Sequence, residues 1–341
     1  MTGTDPIVPA GAAFYPLPEG QPTRAYAFIL VPGFTLLAFS SAVDPLRIAN
    51  QLAQQPLYKW KLMSETGAPV ASSSGIAVCV DGQIEQMDRM TRAFVCAGNP
   101  PKAAAVSKVV STMSRHARFG GAVGGVCTGA VALAEAGLLT DRRFTLHWEN
   151  QPGFIEDYPL LSPSPNLFEI SGPVMTCGGG AAATDMMLSL IAEDHGTEFA
   201  AMVSDMCLRK VMVGIETEQR SSLSVLIRSR NPGLLRVANL MSENIEDPLL
   251  LDDLSRAAGF SRRHVERMFV SVLGVTPSDY YRGLRLDRGR NLLSTTNMGL
   301  LDIALACGFS SVAHFSKSFK ARFGVAPTKF NRRVRGERSR G

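Results

Sequence analysis

Residues 257–277 read AAGFSRRHVERMFVSVLGVTP, and residues 306–327 read ACGFSSVAHFSKSFKARFGVAP. The second stretch repeats the first. Gly259, Phe260 and Ser261 recur as Gly308, Phe309 and Ser310 at a shift of 49, and Phe269, Gly274, Val275 and Pro277 recur as Phe319, Gly324, Val325 and Pro327 at a shift of 50. Self-similarity of this kind marks a repeated structural unit. Each copy has the layout of a helix-turn-helix. A short helix (251–258; 301–307) ends at a glycine, which can adopt the left-handed conformation that closes a helix. The turn then sends a phenylalanine into the core. Ser261 and Ser310 stand where an N-cap belongs and open a second helix. In the first copy Val265, Met268, Phe269 and Val272 recur at helical spacing and are expected inside, with Arg262, Arg263, His264, Glu266 and Arg267 on the opposite face. In the second copy Phe315 and Phe319 pack, leaving Ser311, Val312, Ala313, Ser316 and Lys317 outward. A helix over 279–293 joins the copies, with Tyr280, Leu284 and Leu292 on its apolar side.

Two helical hairpins with solvated charged faces would show the same pattern, and charge decides between the readings. From Gln219 onward, 21 Lys and Arg stand against 10 Asp and Glu, a net of +11; residues 1–218 hold 14 against 20, a net of −6. The overall charge of +5 therefore hides an acidic half joined to a basic half. Basic excess on a helix-turn-helix is the electrostatic footprint of phosphate binding, so the basic half is expected to bind double-stranded DNA.

Residues 233–333 resemble the DNA-binding domain of the AraC/XylS family of transcription regulators. The resemblance is carried by Ile303-Ala304, Cys307-Gly308-Phe309, His314-Phe315, Phe319-Lys320, Phe323-Gly324 and Pro327. It implies an all-α domain with two helix-turn-helix units whose second helices enter successive major grooves. Carried onto these positions, Arg263, Glu266 and Arg267 would face bases in the first groove, with Arg262 beside them on the DNA-binding surface. Ser311, Val312, Ala313, Ser316 and Lys317 would face the second. Arginine can grip guanine O6 and N7 bidentately, whereas Val312 and Ala313 can touch only a thymine methyl. His314 matches a family position that packs, so it is not assigned to bases. Promoter DNA and RNA polymerase are the implied partners, and activation the implied outcome. One such domain reads only two neighbouring grooves while operators commonly hold two half-sites, which predicts a homodimer.

At 341 residues the chain has room for two domains with cores of their own. No apolar run approaches the roughly 20 residues a membrane helix needs, so no membrane partner is expected. The first 23 residues lack the basic and apolar regions of a secretory signal, and their proline and glycine read as a flexible arm. Cys79, Cys96, Cys127, Cys177, Cys207 and Cys307 show no CxxC pairing and sit mostly in apolar segments. They point to a cytoplasmic chain with free thiols and no metal site or disulfide frame. Strands are expected at 27–31, 58–63, 77–80, 93–97, 122–126 and 174–177. Helices are expected at 37–52, 103–116, 128–136, 184–192 and 198–208. That alternation predicts an α/β domain built on an open, mostly parallel sheet. Such sheets take ligands at the carboxyl ends of their strands.

One stretch there stands out: Gly124-Gly125-Val126-Cys127-Thr128-Gly129-Ala130. A strand of small residues meets a cysteine and turns at once into a helix, the geometry of a nucleophile elbow. A thiol at a helix N-terminus has its pKa lowered by the dipole. Downstream, Thr145-Leu146-His147-Trp148-Glu149 brings a histidine and an aromatic–carboxylate pair, and Thr176-Cys177-Gly178-Gly179-Gly180 a flexible turn. Three readings stand: a Cys127–His147 hydrolase or amidotransferase, a small buried residue at a tight elbow, or a binding pocket that kept the elbow.

Residues 24–210 resemble the class I glutamine amidotransferase-like superfamily, flavodoxin-like in fold, which includes the PfpI-type proteases. The Gly-Val-Cys-Thr-Gly elbow followed by a His-Trp pair is most similar to the branch fused to an AraC-type tail, the GlxA-like regulators. Proteases of the superfamily place an acid on the first helix beside the cysteine. That position falls near Ala38 here, and Asp44 comes a turn and a half later. The hydrolytic apparatus is therefore incomplete: no catalytic residue and no cofactor is expected, and the domain reads as an effector sensor. Its pocket would draw on Cys127, Thr128, His147, Trp148, Glu149, Phe34 and Phe39. Backbone N–H groups at the elbow would meet a carboxylate, and an aromatic wall beside Glu149 would meet a cationic head. Glycine betaine, carnitine or an amino acid fits that description, and the resemblance points the same way, since several GlxA-like regulators control the catabolism of such compounds.

The seam lies between Leu208 and Leu234, where 217–220 is polar, 222–228 reads as a short helix and Asn231-Pro232-Gly233 as a helix-stopping turn. The expected organisation is an arm at 1–23, the amidotransferase-like domain at 24–210, a linker at 211–232, the DNA-binding domain at 233–333 and a charged, unpacked tail at 334–341.

Overall fold

The structure, a computed structural model, describes residues 6–209, 214, 216–219 and 231–338, the last six by their backbone alone. The expected helix at 222–228 lies outside the described residues. The chain divides into two compact units, Met1–Gln219 and Arg220–Gly341.

The front unit is built on a sheet of seven strands: β1 (Arg24–Leu30), β2 (Tyr58–Ser64), β5 (Gly82–Gln83), β6 (Arg92–Cys96), β7 (Val123–Val126), β8 (Phe168–Ser171) and β9 (Val174–Cys177). Their order is β5-β2-β1-β6-β7-β9-β8, parallel throughout except for the β8–β9 hairpin at one edge. Both faces of β1 are covered. Phe28 and Leu30 join the core under α1 (Leu36–Ala53), α5 (Ala182–His195) and α6 (Thr197–Met206), while Ala27 and Ile29 join the core under α2 (Ser107–Arg118), α3 (Ala130–Glu135) and α4 (Gln151–Asp157). A strand buried on both sides must be apolar throughout, which is why AFILV reads as it does. The chain leaves β1 for β2 on one side and returns to β6 on the other. The crevice above β1 and β6 is therefore the topological switch point.

The expected open parallel α/β sheet is thus present, with local differences. The 77–80 segment forms a short antiparallel ribbon with β3 (Val70–Ala71), off the main sheet, as β4 (Ala77–Val78). The helix expected at 103–116 divides into a 3-10 turn at Pro101–Ala104 and then α2. The arm expected to be flexible is fastened over residues 6–23. Ile7 O accepts from the Asn50 side chain at 2.9 Å, Tyr15 N–H donates to Leu52 O at 2.8 Å, and Ala13, Tyr15 and Leu17 pack on the core.

The second unit is helical: α7 (Pro232–Glu243), α8 (Leu251–Ala258), α9 (Arg262–Leu273), α10 (Pro277–Thr295), α11 (Leu300–Ala306), α12 (Val312–Phe323) and α13 (Pro327–Arg338). Asn231-Pro232-Gly233 opens α7; whatever it follows lies outside the described residues. The Asn231 side chain accepts from Gly233 N–H and Leu234 N–H, and Pro232 takes the first turn, where its missing donor costs nothing. The tail expected to be unpacked continues α13 to Arg338. Two small cores form, one around Leu234, Val265 and Phe269, the other around Ile303, Phe309, Phe315 and Phe319. Among the described residues no helix is long and apolar enough to cross a membrane.

Candidate functional site

Each helix-turn-helix is shaped by the same three local devices. Gly259 (φ 77°) and Gly308 (φ 69°) supply the left-handed residue after the first helix. Gly308 has a second reason to lack a side chain, since a Cβ there would lie 2.6 Å from Ile245 O and 2.5 Å from a Pro248 carbon. Phe260 and Phe309 then turn inward, Phe309 almost fully buried. Last comes the N-cap, and here the copies differ. Ser261 accepts from His264 N–H at 3.3 Å, but in the second copy it is Ser311, not Ser310, that accepts from His314 N–H, at 3.2 Å. The extra residue lies between Phe309 and the cap. His264 and His314 become equivalent, each against its own phenylalanine at 5.1 and 5.3 Å between ring centres.

On the presented faces Arg263, Arg267, Ala313 and Lys317 are exposed and Ser316 is half-buried. Arg262 is engaged at 3.0 Å with Glu266 one turn on and at 3.5 Å with Asp252, so those two candidates pair with each other. Arg267 lies 3.3 Å from His264 Nδ1. Three further positions carry other contacts or exposures than the helical spacing implies. Val312 is half-buried against the second core, Ser311 is exposed with its hydroxyl oxygen accepting at the cap, and Val272, expected inside, is 41% exposed near the end of α9. Of the apolar side expected on the joining helix, Leu292 is buried. Tyr280 and Leu284 are half-buried, with Tyr281, Leu286 and Leu293 deeper.

In the front unit, Cys127 sits at φ 61°, a left-handed conformation that is strained for a residue with a Cβ and marks the elbow. Its thiol is buried and receives the Thr35 hydroxyl at 3.6 Å. Gly179 closes against it: a Cβ there would lie 2.7 Å from that of Cys127. Burial pushes the Cys127 thiol up, outweighing the hydrogen bonds from Thr35 and the Thr128 backbone. The lowering expected from a helix dipole is thus overturned by desolvation. Thr128 is buried and donates to Gly98 O at 2.7 Å. Burial likewise lowers the His147 imidazole, with Glu149 pulling the other way. The His147 backbone N–H donates to Cys127 O at 3.3 Å, and its Nδ1 accepts from Glu149 N–H at 3.4 Å. Trp148 is 43% exposed and Glu149 is exposed, the latter accepting from the Asn99 side chain at 3.4 Å.

Phe34 and Phe39 are buried, in the same core cluster as Cys127. The two rings stand edge to face at 5.6 Å, Phe34 just ahead of α1 and Phe39 in its first turn. Ala38 is buried as well, and Asp44 pairs with Arg47 at 3.2 Å on the outer face.

Residues 26–193 match the DJ-1/PfpI family, and residues 254–333 a helix-turn-helix domain. The chain is 41% identical over 307 residues to the HTH-type transcriptional regulator CdhR of Pseudomonas aeruginosa, covering 90% of this chain and 91% of that one. It is 42% identical over 317 residues to the HTH-type transcriptional regulator GlxA of Rhizobium meliloti, covering 92% and 98%. It is 37% identical over 310 residues to the HTH-type transcriptional regulator GbdR of Pseudomonas aeruginosa, covering 91% and 84%. This chain belongs to the AraC-type transcriptional regulators that carry a DJ-1/PfpI domain.

Not every basic residue of this AraC-type regulator faces outward. Arg285 on α10 donates through Nε to Cys307 O at 2.8 Å and through a second nitrogen to Gly308 O, and its Cζ stands 4.3 Å from the Phe309 ring centre. Burial lowers its pKa. It clamps the turn of the second helix-turn-helix. Charge counting had merged it with the phosphate-binding excess, and only its position facing the carboxyl end of α11 tells it apart. Arg322 is similarly committed, to Asp287 at 2.7 Å.

Proposed function

We propose that this regulator senses a small zwitterionic nitrogenous metabolite, of the glycine betaine, carnitine or amino-acid class, and does so without turnover. The observation that carries the reading is the exposed Trp148–Glu149 pair beside the Cys127 elbow. An aromatic face with a carboxylate next to it suits a quaternary or primary ammonium. Absence of turnover is supported by the buried, upshifted Cys127 thiol and by Ala38 standing where the superfamily's hydrolases carry an acid. Arg263, Arg267, Ala313, Ser316 and Lys317 are the proposed base-facing set, with Arg262 and Glu266 bracing one another at its edge. As a homodimer on promoter DNA, engaging RNA polymerase, the protein would activate transcription.

Titration calorimetry of the full chain against glycine betaine, carnitine and arginine tests the effector class. One of them should bind below millimolar concentration, and Trp148→Ala should weaken that binding at least tenfold. Heat from none of the three would remove the effector assignment. Cys127→Ser separates sensing from catalysis: a sensor keeps its ligand-dependent transcription, whereas a cysteine hydrolase loses turnover entirely.

A further inference from the structure

Gln219 is the last residue of the front unit, and its side chain is turned inward. Its Oε1 accepts from Trp148 N–H at 2.8 Å. Its Nε2 donates toward Thr145 Oγ1 at 2.8 Å, Leu146 O at 2.9 Å and Asn166 O at 2.9 Å. An amide has two N–H groups, so three acceptors surround two donors and the site is saturated. The backbone is held too. Gln219 N–H donates to Pro165 O at 2.8 Å, Leu167 N–H donates to Thr217 O at 2.7 Å, and Glu218 bridges Asn166. Room for the side chain comes from Gly178, where a Cβ would lie 2.3 Å from Gln219 Oε1. The next residue, Gly179, is the one closed against Cys127. One amide thus holds the loop that bears His147, Trp148 and Glu149 while resting on the turn that packs on the elbow.

We infer that Gln219 is a positioning residue that couples the effector cleft to the DNA-binding unit. It sets the Trp148 loop and, at the same time, anchors the chain immediately ahead of Arg220, where the second unit begins. The coupling rests on the effector reading only in what moves the loop; the anchoring does not. A ligand that draws the Trp148 backbone toward itself takes the N–H away from Oε1 and loosens the residue that fixes the exit of the chain. That supplies two arrangements, anchored and released, whose balance a ligand can bias, as allosteric coupling requires. Glutamine alone satisfies both halves of the site. Gln219→Glu would set a second oxygen against the Leu146 and Asn166 carbonyls, and Gln219→Asn is one methylene short.

The test uses the full chain carrying Trp60→Phe, which leaves Trp148 as the sole indole of the two tryptophans. Acrylamide quenching of Trp148 and anisotropy of a labelled duplex from the protein's own upstream region are measured with and without glycine betaine. Gln219→Ala, Gln219→Glu and Gly178→Ala should each increase quenching. Each should also change DNA affinity at least about fivefold with no ligand added, the lower end of ordinary allosteric coupling. Gln219→Ala should add nothing further to Gly178→Ala, because both release one contact. Gln219→Asn gives a milder perturbation if the alanine variant fails to fold, and must move both readouts in the same direction. Unchanged quenching and DNA affinity within twofold would overturn the inference. So would looser quenching with unchanged DNA affinity, which would make Gln219 a mere prop for the loop. Because these readouts need no effector, silence toward glycine betaine would count against the effector class alone.

Discussion

Arg285→Ala separates an internal clamp from a phosphate contact. The wild-type guanidinium makes two hydrogen bonds, to Cys307 O and Gly308 O, and lies over the Phe309 ring. A hydrogen bond from a charged donor contributes about 1.5–3 kcal/mol and a cation over an aromatic face about 0.5–2 kcal/mol. Arg285 is half-buried, so solvent screens the interaction and water replaces part of what is lost; the lower ends apply. The expected loss is roughly 2–4 kcal/mol, concentrated in the turn between α11 and α12. Amide hydrogen exchange reads that locally. Opening of residues 300–323 should become about 30- to 700-fold faster at 1.4 kcal/mol per decade, while the front unit stays unchanged. Arg285→Lys, which keeps one donor, should recover part of the protection. The reasoning is refuted if exchange is unaltered while DNA affinity falls uniformly and the salt slope drops by about one phosphate. Arg285 would then be one more phosphate ligand.

Ser311→Ala should cost about 1 kcal/mol and expose the His314 amide to exchange, whereas Ser310→Ala should leave it protected; equal effects would return the cap to Ser310. Arg263→Ala should cost about 1–3 kcal/mol on specific DNA and relax base preference at one position, measured by anisotropy against single-base variants. Equal losses on random DNA would mean that Arg263 touches only phosphate. Burial lowers the folded-state pKa of His147 and of His195. Below the ordinary histidine value of about 6.5 the unfolded chain therefore binds protons that the folded chain resists. Stability should rise with pH through that window and be lost on acidification. Urea unfolding between pH 7 and 5 should show this slope, and His147→Gln should reduce it.

The sequence was sufficient for whatever depends on neighbours a few residues apart. The 49- and 50-residue shifts, glycines placed one residue beyond a periodic run, and alternation of apolar strands with helices specified a double helix-turn-helix behind a parallel α/β sheet. Gly-Gly-Val-Cys-Thr-Gly likewise declared an elbow, because a strand that turns at once into a helix needs small residues on both sides. The cap serine was not decided that way. Ser310 and Ser311 are chemically identical, and the choice between them follows from how far Phe309 must travel to reach a core made by distant helices. The same holds for Arg285, which turns inward only because the carboxyl end of α11 lies across from it, and for Phe34, whose full burial comes from the core it shares with Cys127. Gln219 is the extreme case. Its four side-chain partners lie between 53 and 74 residues away, and no periodicity or motif marks it. Local pattern sets the elements; the identity of a buried donor's acceptor is settled only when the elements meet.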